Sequence, residues 1–253
     1  MNKNVELKEK EMLHELLGYD YIKIIQNDDM FSFSIDSMLL ANFVETNKKT
    51  KNIIDLGCGN GPIPLYLTLK TDAHIDGIEI QSDVFDMAKR SVEINGFEKQ
   101  ITIINDDLKD IYKKVGANKY DIVTSNPPYF KYVPTSNINK NDYLTIARHE
   151  VKAKLEDIVV EAKRLLVDGG SFCLVHRAER LSEINSVIVN NCFNIKRIRF
   201  VYPKVDACEA LLVLIEAKKN SNSGLKVLPP LYIYDKDGEY TQELKETFKL
   251  KKI

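Results

Sequence analysis

The sequence predicts an α/β fold built on a doubly wound, mainly parallel sheet with helices on both faces. Three observations carry this. From Lys51 onward, short apolar runs of strand length alternate with segments of helical length, the pattern of successive βαβ units. The last two runs are separated only by Pro203 to Glu209, which leaves no room for a crossover helix and makes them antiparallel neighbours. A chain of 253 residues, 44% hydrophobic and 29% charged, is long and apolar enough for one large domain with a buried core.

The elements follow in order. Residues 1 to about 18 read as a polar helix or loose arm, so 1–20 is set apart as an N-terminal arm. Tyr21–Gln26 is a short strand, Asn27-Asp28-Asp29 a turn, and Met30–Phe33 a second strand completing a hairpin. A buried helix follows over Met38–Val44, with Ser34 or Asp36 as its N-cap. The strand candidates are then Asn52–Leu56, His74–Ile80, Ile101–Ile104, Asp121–Ser125, Ser171–His176, Ile195–Tyr202 and Ala210–Glu216. Helices fit between them at Ile63–Lys70, Ser82–Asn95, Leu108–Val115, Leu155–Leu166 and Glu179–Asn191, with Asn95-Gly96 and Asp168-Gly169-Gly170 as stops. The polar stretch Tyr132–Asn141 reads as a mobile loop. The main domain spans 21–217. Residues 218–253 read as a linker, an extended arm over Leu228–Tyr234 and a small helix over Thr241–Leu250.

Composition excludes some classes of function. The formal net charge is −1, so no overall basic footprint announces non-specific nucleic-acid binding. Cys58, Cys173, Cys192 and Cys208 form no Cys-x-x-Cys pair and no cluster with histidine, so neither a disulfide framework nor a metal site is expected and a reducing cytoplasm fits. Met1 to Gly18 lacks the apolar core of a signal peptide. No apolar run approaches the roughly 18 residues that span a membrane.

The chemistry gathers at the predicted C-terminal ends of the strands, where open α/β sheets bind ligands. Asp55-Leu56-Gly57-Cys58-Gly59-Asn60-Gly61 runs from a strand through a glycine turn into a helix. The glycine spacing is not that of a dinucleotide or P-loop site. Asp55 would repel a pyrophosphate and favour a cationic group such as an amino-acid ammonium, and Pro62 and Pro64 remove N–H donors that an anion would use. Glu79 ends the next strand, where a carboxylate suits the two hydroxyls of a ribose. Asp106 or Asp107, after the third strand, could accept from an adenine amino group. Ammonium, ribose and adenine in that order describe S-adenosylmethionine (AdoMet). Asn126-Pro127-Pro128-Tyr129 follows the fourth strand, and its two prolines make a stiff turn that cannot continue the ladder.

Together these stretches resemble the class I AdoMet-dependent methyltransferases. The resemblance implies a Rossmann-like, seven-stranded sheet with an antiparallel last strand, AdoMet on Asp55–Gly61, Glu79 and Asp107, and no metal. Asn126–Tyr129 matches the Asn-Pro-Pro-Tyr motif of members that methylate exocyclic or amide nitrogen. Such a nitrogen is a poor nucleophile, its lone pair being delocalised. Asn126 Oδ1 and the Pro127 carbonyl can each accept one of its N–H groups and stabilise the positive charge that develops. Tyr129 offers a stacking face for a planar base, and Phe130 adds to that face or belongs to the core.

The similarity extends through Phe33–Leu40, Arg148-His149-Glu150 and Pro229–Tyr234 to the bacterial family that N6-methylates adenosine 37 of a valine tRNA. It implies that Phe33 to Asp36 closes over AdoMet, although the same segment reads equally well as a buried helix start. Arg148 and His149 are either contacts to RNA phosphate or a solvated helix start. Arg197 and Arg199, on one face of a strand, could form a positive edge for tRNA, or belong to a scatter of solvated charges. A protein-glutamine methyltransferase is the competing enzyme reading, disfavoured by the short stretch before the glycine turn. An AdoMet-binding RNA module without catalysis is the non-enzymatic one. No membrane or obligate protein partner is expected.

Overall fold

The computed structural model describes residues 5–27, 35–129 and 153–249. Eleven strands and seven α-helices are assigned among them. A hairpin, β1 (Glu11–Leu16) and β2 (Tyr19–Asn27), precedes helix α1 (Ile35–Phe43). The alternation then runs β3 (Asn52–Leu56), α2 (Pro62–Leu67), β4 (His74–Glu79), α3 (Ser82–Asn95), β5 (Ile101–Asn105), α4 (Tyr112–Val115) and β6 (Tyr120–Ser125). After residue 153 come α5 (Leu155–Leu165), β7 (Leu166–Arg177), a 3₁₀ turn (Ala178–Arg180), α6 (Leu181–Asn190), β8 (Phe193–Lys204) and β9 (Leu212–Lys219). Two short strands, β10 (Lys226–Val227) and β11 (Leu231–Tyr234), and helix α7 (Gln242–Thr247) follow.

The main sheet has the order β10-β8-β9-β7-β6-β3-β4-β5, with β11 also paired to β8. Its seven long strands are parallel except β9, which lies antiparallel between β7 and β8. This is the expected Rossmann-like class I arrangement, including the antiparallel pair inferred from the missing crossover. The additions β10 and β11 pair parallel with the edge strand β8, at Lys226↔Arg197 and Leu231↔Val201. Pro229 and Pro230 interrupt that added strand, as residues without an N–H do at a sheet edge. Helices cover both faces. Side chains of α1, α2 and α3 pack into one apolar cluster and those of α5 and α6 into the other.

The N-terminal segment departs from the sequence reading. Glu11–Leu16 is a strand, and β2 pairs antiparallel with it. Met-Leu-His-Glu-Leu favours helix locally, but tertiary pairing overrides propensity. Arg90 of α3 fastens the strand, meeting the Glu11 carboxylate at 2.5 and 2.8 Å. The expected strand Met30–Phe33, the cap Ser34 and the loop Tyr132–Asn141 lie outside the described residues. The helix expected from Leu108 starts only at Tyr112. Asp168–Gly170, expected as a helix stop, lies within β7, because α5 ends at Leu165. Gly96 is a helix stop as expected, with φ 72° and its N–H on the Glu93 and Val92 carbonyls.

Both ends of the chain join one core. Leu16, Ile22 and Ile24 of the hairpin share a buried cluster with Leu231, Ile233, Leu244 and Phe248. Gly18, at the hairpin turn, has φ +79°, and a Cβ there would lie 1.5 Å from the Phe248 carbonyl oxygen. Gly18→Ala should therefore cost about 2 kcal/mol or more of unfolding free energy in chemical denaturation, from backbone strain and overpacking together. A cost within about 0.5 kcal/mol would show that the hairpin and the C-terminal helix are not locked together.

Candidate active site

The strand order makes β3 the switch point of the sheet, with β4 on one side and β6 on the other. Their C-terminal ends and that of β5 line up along one edge at steps of about 4.8 Å. Read across that edge, the functional residues run Asn126 after β6, Asp55 in β3, Glu79 ending β4 and Asp106-Asp107 after β5. A cavity follows them, walled by residues 57–60 of the glycine turn, Glu79, Asp106, Asp107, Ser125, Asn126, Pro127 and Pro128, with Ser37 of α1 and Ile158 of α5 closing its sides and Gly61 off its wall.

The glycine turn is built by backbone geometry. Gly57, Gly59 and Gly61 have φ of 73°, 55° and 92°. A Cβ at Gly57 or Gly59 would meet nothing within 4 Å, so what requires glycine there is left-handed backbone and not space. The N–H groups of Gly57 and Cys58 both donate to the Ile78 carbonyl, at 3.0 and 2.9 Å. Asn60 Nδ2 ties the turn to β2 through the Ile25 carbonyl at 2.9 Å.

Glu79 is the keystone acid. Its Oε2 accepts the Gly59 N–H at 3.0 Å and its Oε1 the Gln81 N–H at 2.8 Å. Each carboxylate oxygen keeps a further lone pair, and the side chain lines the cavity. Burial raises its carboxyl above the usual range, while the N–H donors pull the other way. Asp55 is fully enclosed and stands behind the cavity wall, which Leu56 and Gly57 form. Thr124 Oγ1 donates to its Oδ1 at 2.6 Å, and no described residue bonds its buried Oδ2. Burial pushes the Asp55 carboxyl up to about 7; the Thr124 hydrogen bond opposes this and the Glu79 charge adds to it. Two buried acids with no cation beside them among the described residues favour a positively charged ligand.

The two acids after β5 differ. Asp106 is engaged at both oxygens, by the Asp107 N–H and by Lys114, whose hydrogen bond holds its carboxyl below the usual range. Asp107 accepts the Lys109 N–H on Oδ1, and no described residue bonds its Oδ2. Of the two, Asp107 keeps acceptor capacity for a ligand.

The turn after β6 is held from several directions. Ser125 Oγ donates to the Leu56 carbonyl, joining β6 to β3. Asn126 Nδ2 donates to Ser37 Oγ at 3.0 Å. The Tyr129 hydroxyl lies 2.7 Å from Asp36 Oδ2 and 2.8 Å from Asn126 Oδ1. Its ring packs beside His176, centroids 5.3 Å apart, and its carbonyl accepts Arg180 Nη1 at 2.9 Å. Burial, with the Arg180 charge nearby, lowers His176 to about 4, so that ring is neutral at pH 7.

Asn126, Pro127, Pro128, Gly57, Gly59, Glu79, Asp106 and Asp107 thus meet at one cavity. Tyr129 and Asp36 stand beside it rather than on its wall, the Tyr129 hydroxyl lying between Asn126 Oδ1 and Asp36 Oδ2. Phe33, Phe130, Arg148 and His149 lie outside the described residues. Arg197 and Arg199 do share a face, but internal partners engage both. Arg197 is paired with Glu216 and Glu45 and stacked on Phe43, and Arg199 with Glu243 and the Pro229 carbonyl at 3.0 Å. Sequence reasoning missed Ser37, Thr124, His176 and Arg180. A hydroxyl inside the apolar run of β6, and a histidine ending the strand beside it, were the available signals.

Residues 22–197 match the profile of the methyltransferase small domain. The chain belongs to that family. It is an AdoMet-dependent methyltransferase, and the acid pair, the glycine turn and the open acceptor of Asp107 fit that cofactor's ammonium, ribose and adenine. The methyltransferase is 28% identical over 187 residues to the tRNA1(Val) (adenine(37)-N6)-methyltransferase of Dyadobacter fermentans, covering 74% of this chain and 75% of that one. It is 24% identical over 245 residues to the protein of that name from Photorhabdus laumondii, covering 95% and 96%. Among solved structures it superposes on one described as a predicted O-methyltransferase from Agrobacterium tumefaciens with a TM-score of 0.67 at 22% identity, covering 85% and 95%. It superposes on Methanocaldococcus jannaschii Trm5 in complex with adenosine with a TM-score of 0.59 at 16% identity, covering 86% and 59%. These structural likenesses concern the fold alone. Among the described residues no group of side chains could hold a metal ion and no helix is long and apolar enough to cross a membrane.

A cationic ligand favours the ionised form of Asp55. Below pH 7 the acid is largely protonated, so AdoMet affinity should fall as pH drops from 7 to 5.5, by up to about tenfold per unit. Calorimetry across that range tests it. Asp55→Asn should flatten the slope, and an equally steep slope in that variant would assign it to another group.

Proposed function

We propose that this methyltransferase transfers the methyl group of AdoMet to the N6 amino group of an adenine in tRNA, at adenosine 37 of a valine tRNA. One observation carries the reading. The wall of the cavity beside β3 and β6 is made by Asn126 and Pro127, a side-chain amide and a proline carbonyl held in a stiff turn at the end of the cavity away from Asp107. The two relatives are named for that reaction, and one of them aligns over nearly the whole chain.

The residues divide the work. Glu79 has lone pairs left for the ribose hydroxyls, and Asp107 Oδ2 for the adenine amine of the cofactor. Asp55 contributes negative charge behind the wall near the ammonium. Bound AdoMet supplies an electrophilic methyl group on a sulfonium. Asn126 Oδ1 and the Pro127 carbonyl receive the two N–H groups of the acceptor, which orients the nitrogen lone pair and stabilises its developing positive charge. The partly buried Tyr129 ring presents its remaining surface to the base. No strong general base is required, and His176, the histidine beside the turn among the described residues, is enclosed and poorly basic.

Incubation with labelled AdoMet and unmodified tRNA should yield N6-methyladenosine. Asn126→Ala should lower the rate by about 100-fold or more while leaving AdoMet affinity essentially unchanged. Label that appears only in protein, or an Asn126→Ala variant as active as the parent, would contradict the assignment.

A further inference from the structure

The Tyr129 hydroxyl has one proton and two acceptors, Asp36 Oδ2 at 2.7 Å and Asn126 Oδ1 at 2.8 Å. It can donate fully to one of them or divide its bond between both. Burial and the Asp36 charge hold the phenol well above its usual pKa, so the group remains a donor. Tyr129 is itself anchored. Arg180, fixed by Glu183 at 2.8 and 3.2 Å, grips its carbonyl, and His176 packs on its ring. The far end of the Asn126 amide is fixed by Ser37.

The reaction asks Asn126 Oδ1 to accept an N–H from a nitrogen that is becoming positive. An O–H dipole aimed at the same oxygen draws on the same electron density and opposes that stabilisation. We propose that Asp36 is a positioning residue that takes over the Tyr129 hydroxyl bond as the acceptor's amino group engages Asn126. The carbonyl is then handed to the substrate without leaving a buried hydroxyl unpaired. Ser37 keeps the amide from turning over during the exchange, which would present an NH₂ group to an incoming N–H. The inference rests on the amino-group reading above. It gives the Asp36-Ser37 pair of α1 a task at the turn after β6 in place of closure over the cofactor.

The test is a set of four variants assayed on tRNA, with thermal unfolding followed in parallel. Asp36→Ala leaves the hydroxyl with Asn126 as its remaining described partner, so kcat should fall at least about tenfold with KM for AdoMet unchanged. Asp36→Asn keeps an acceptor and should recover most of the lost rate, which also separates this role from folding. Tyr129→Phe, which removes the hydroxyl and its hold on the amide, should lower kcat less than Asp36→Ala does. The double variant Asp36→Ala/Tyr129→Phe removes the competing donor and should be faster than Asp36→Ala alone, a sign of coupling that a merely structural brace does not produce. A double variant no faster than Asp36→Ala, or Asp36→Ala with parental kcat, overturns the proposal. So does Asp36→Ala with kcat retained and KM for AdoMet raised about tenfold, which would make Asp36 a cofactor ligand. A parent enzyme that binds AdoMet yet methylates no tRNA overturns the amino-group reading, and this inference with it.

Discussion

Glu79 accepts one backbone N–H from the glycine turn and one from the segment that opens α3, so a single buried carboxylate fixes both rims of the cofactor cavity. Charge-assisted bonds of this kind are short and directional. The turn has few other ways to hold its shape. Its glycines contribute no side chains, the N–H groups of Gly57 and Cys58 go to the Ile78 carbonyl just before Glu79, and that of Gly61 closes on the Cys58 carbonyl within the turn. The end of β4 therefore sets where the turn lies, where Asp55 is enclosed and how far the cavity reaches towards Asp107. The cost is a buried acid whose charge the protein only partly offsets, which is the reason the site favours a cation.

The second half of the site is organised differently. The turn after β6 is stiff along the backbone, but a proline turn does not orient the amide before it. That task falls to groups from elsewhere in the chain: Ser37 and Asp36 from α1, Arg180 from the 3₁₀ turn and His176 from β7. The cofactor half is thus built from β3, β4 and their own loops. The acceptor half is assembled from residues some 50 to 90 positions apart from the motif.

That difference explains what the sequence disclosed. Strand ends that carry acids are local signals, and Asp55, Glu79, Asp107 and Asn126 were legible because the sheet aligns such ends automatically. The Asp106/Asp107 ambiguity needed the structure, since only the position of Lys114 shows which acid is already engaged. Glu11–Leu16 reads as helix or arm because its residues favour helix locally, while the pairing and the Arg90 bond that make it a strand are distant. Arg197 and Arg199 read as either a positive edge for RNA or solvated charges because their partners, Glu216, Glu45 and Glu243, are remote in sequence. Ser37 and Arg180 were missed for the same reason. A serine at a helix start and an arginine beside a glutamate have ordinary local explanations.

The central claim is that one edge of the sheet holds AdoMet with its adenine at β5, its ribose at β4 and its methyl end at the β6 turn. A crystal structure of the chain with S-adenosylhomocysteine tests it most directly. The account requires both ribose hydroxyls within about 3.2 Å of the Glu79 carboxylate, the adenine amine within the same distance of Asp107, and the sulfur on the side of Asn126 and Pro127. A ligand bound in the opposite sense, with its adenine beside Asn126, or a Glu79 that makes no contact with the ribose, would contradict it.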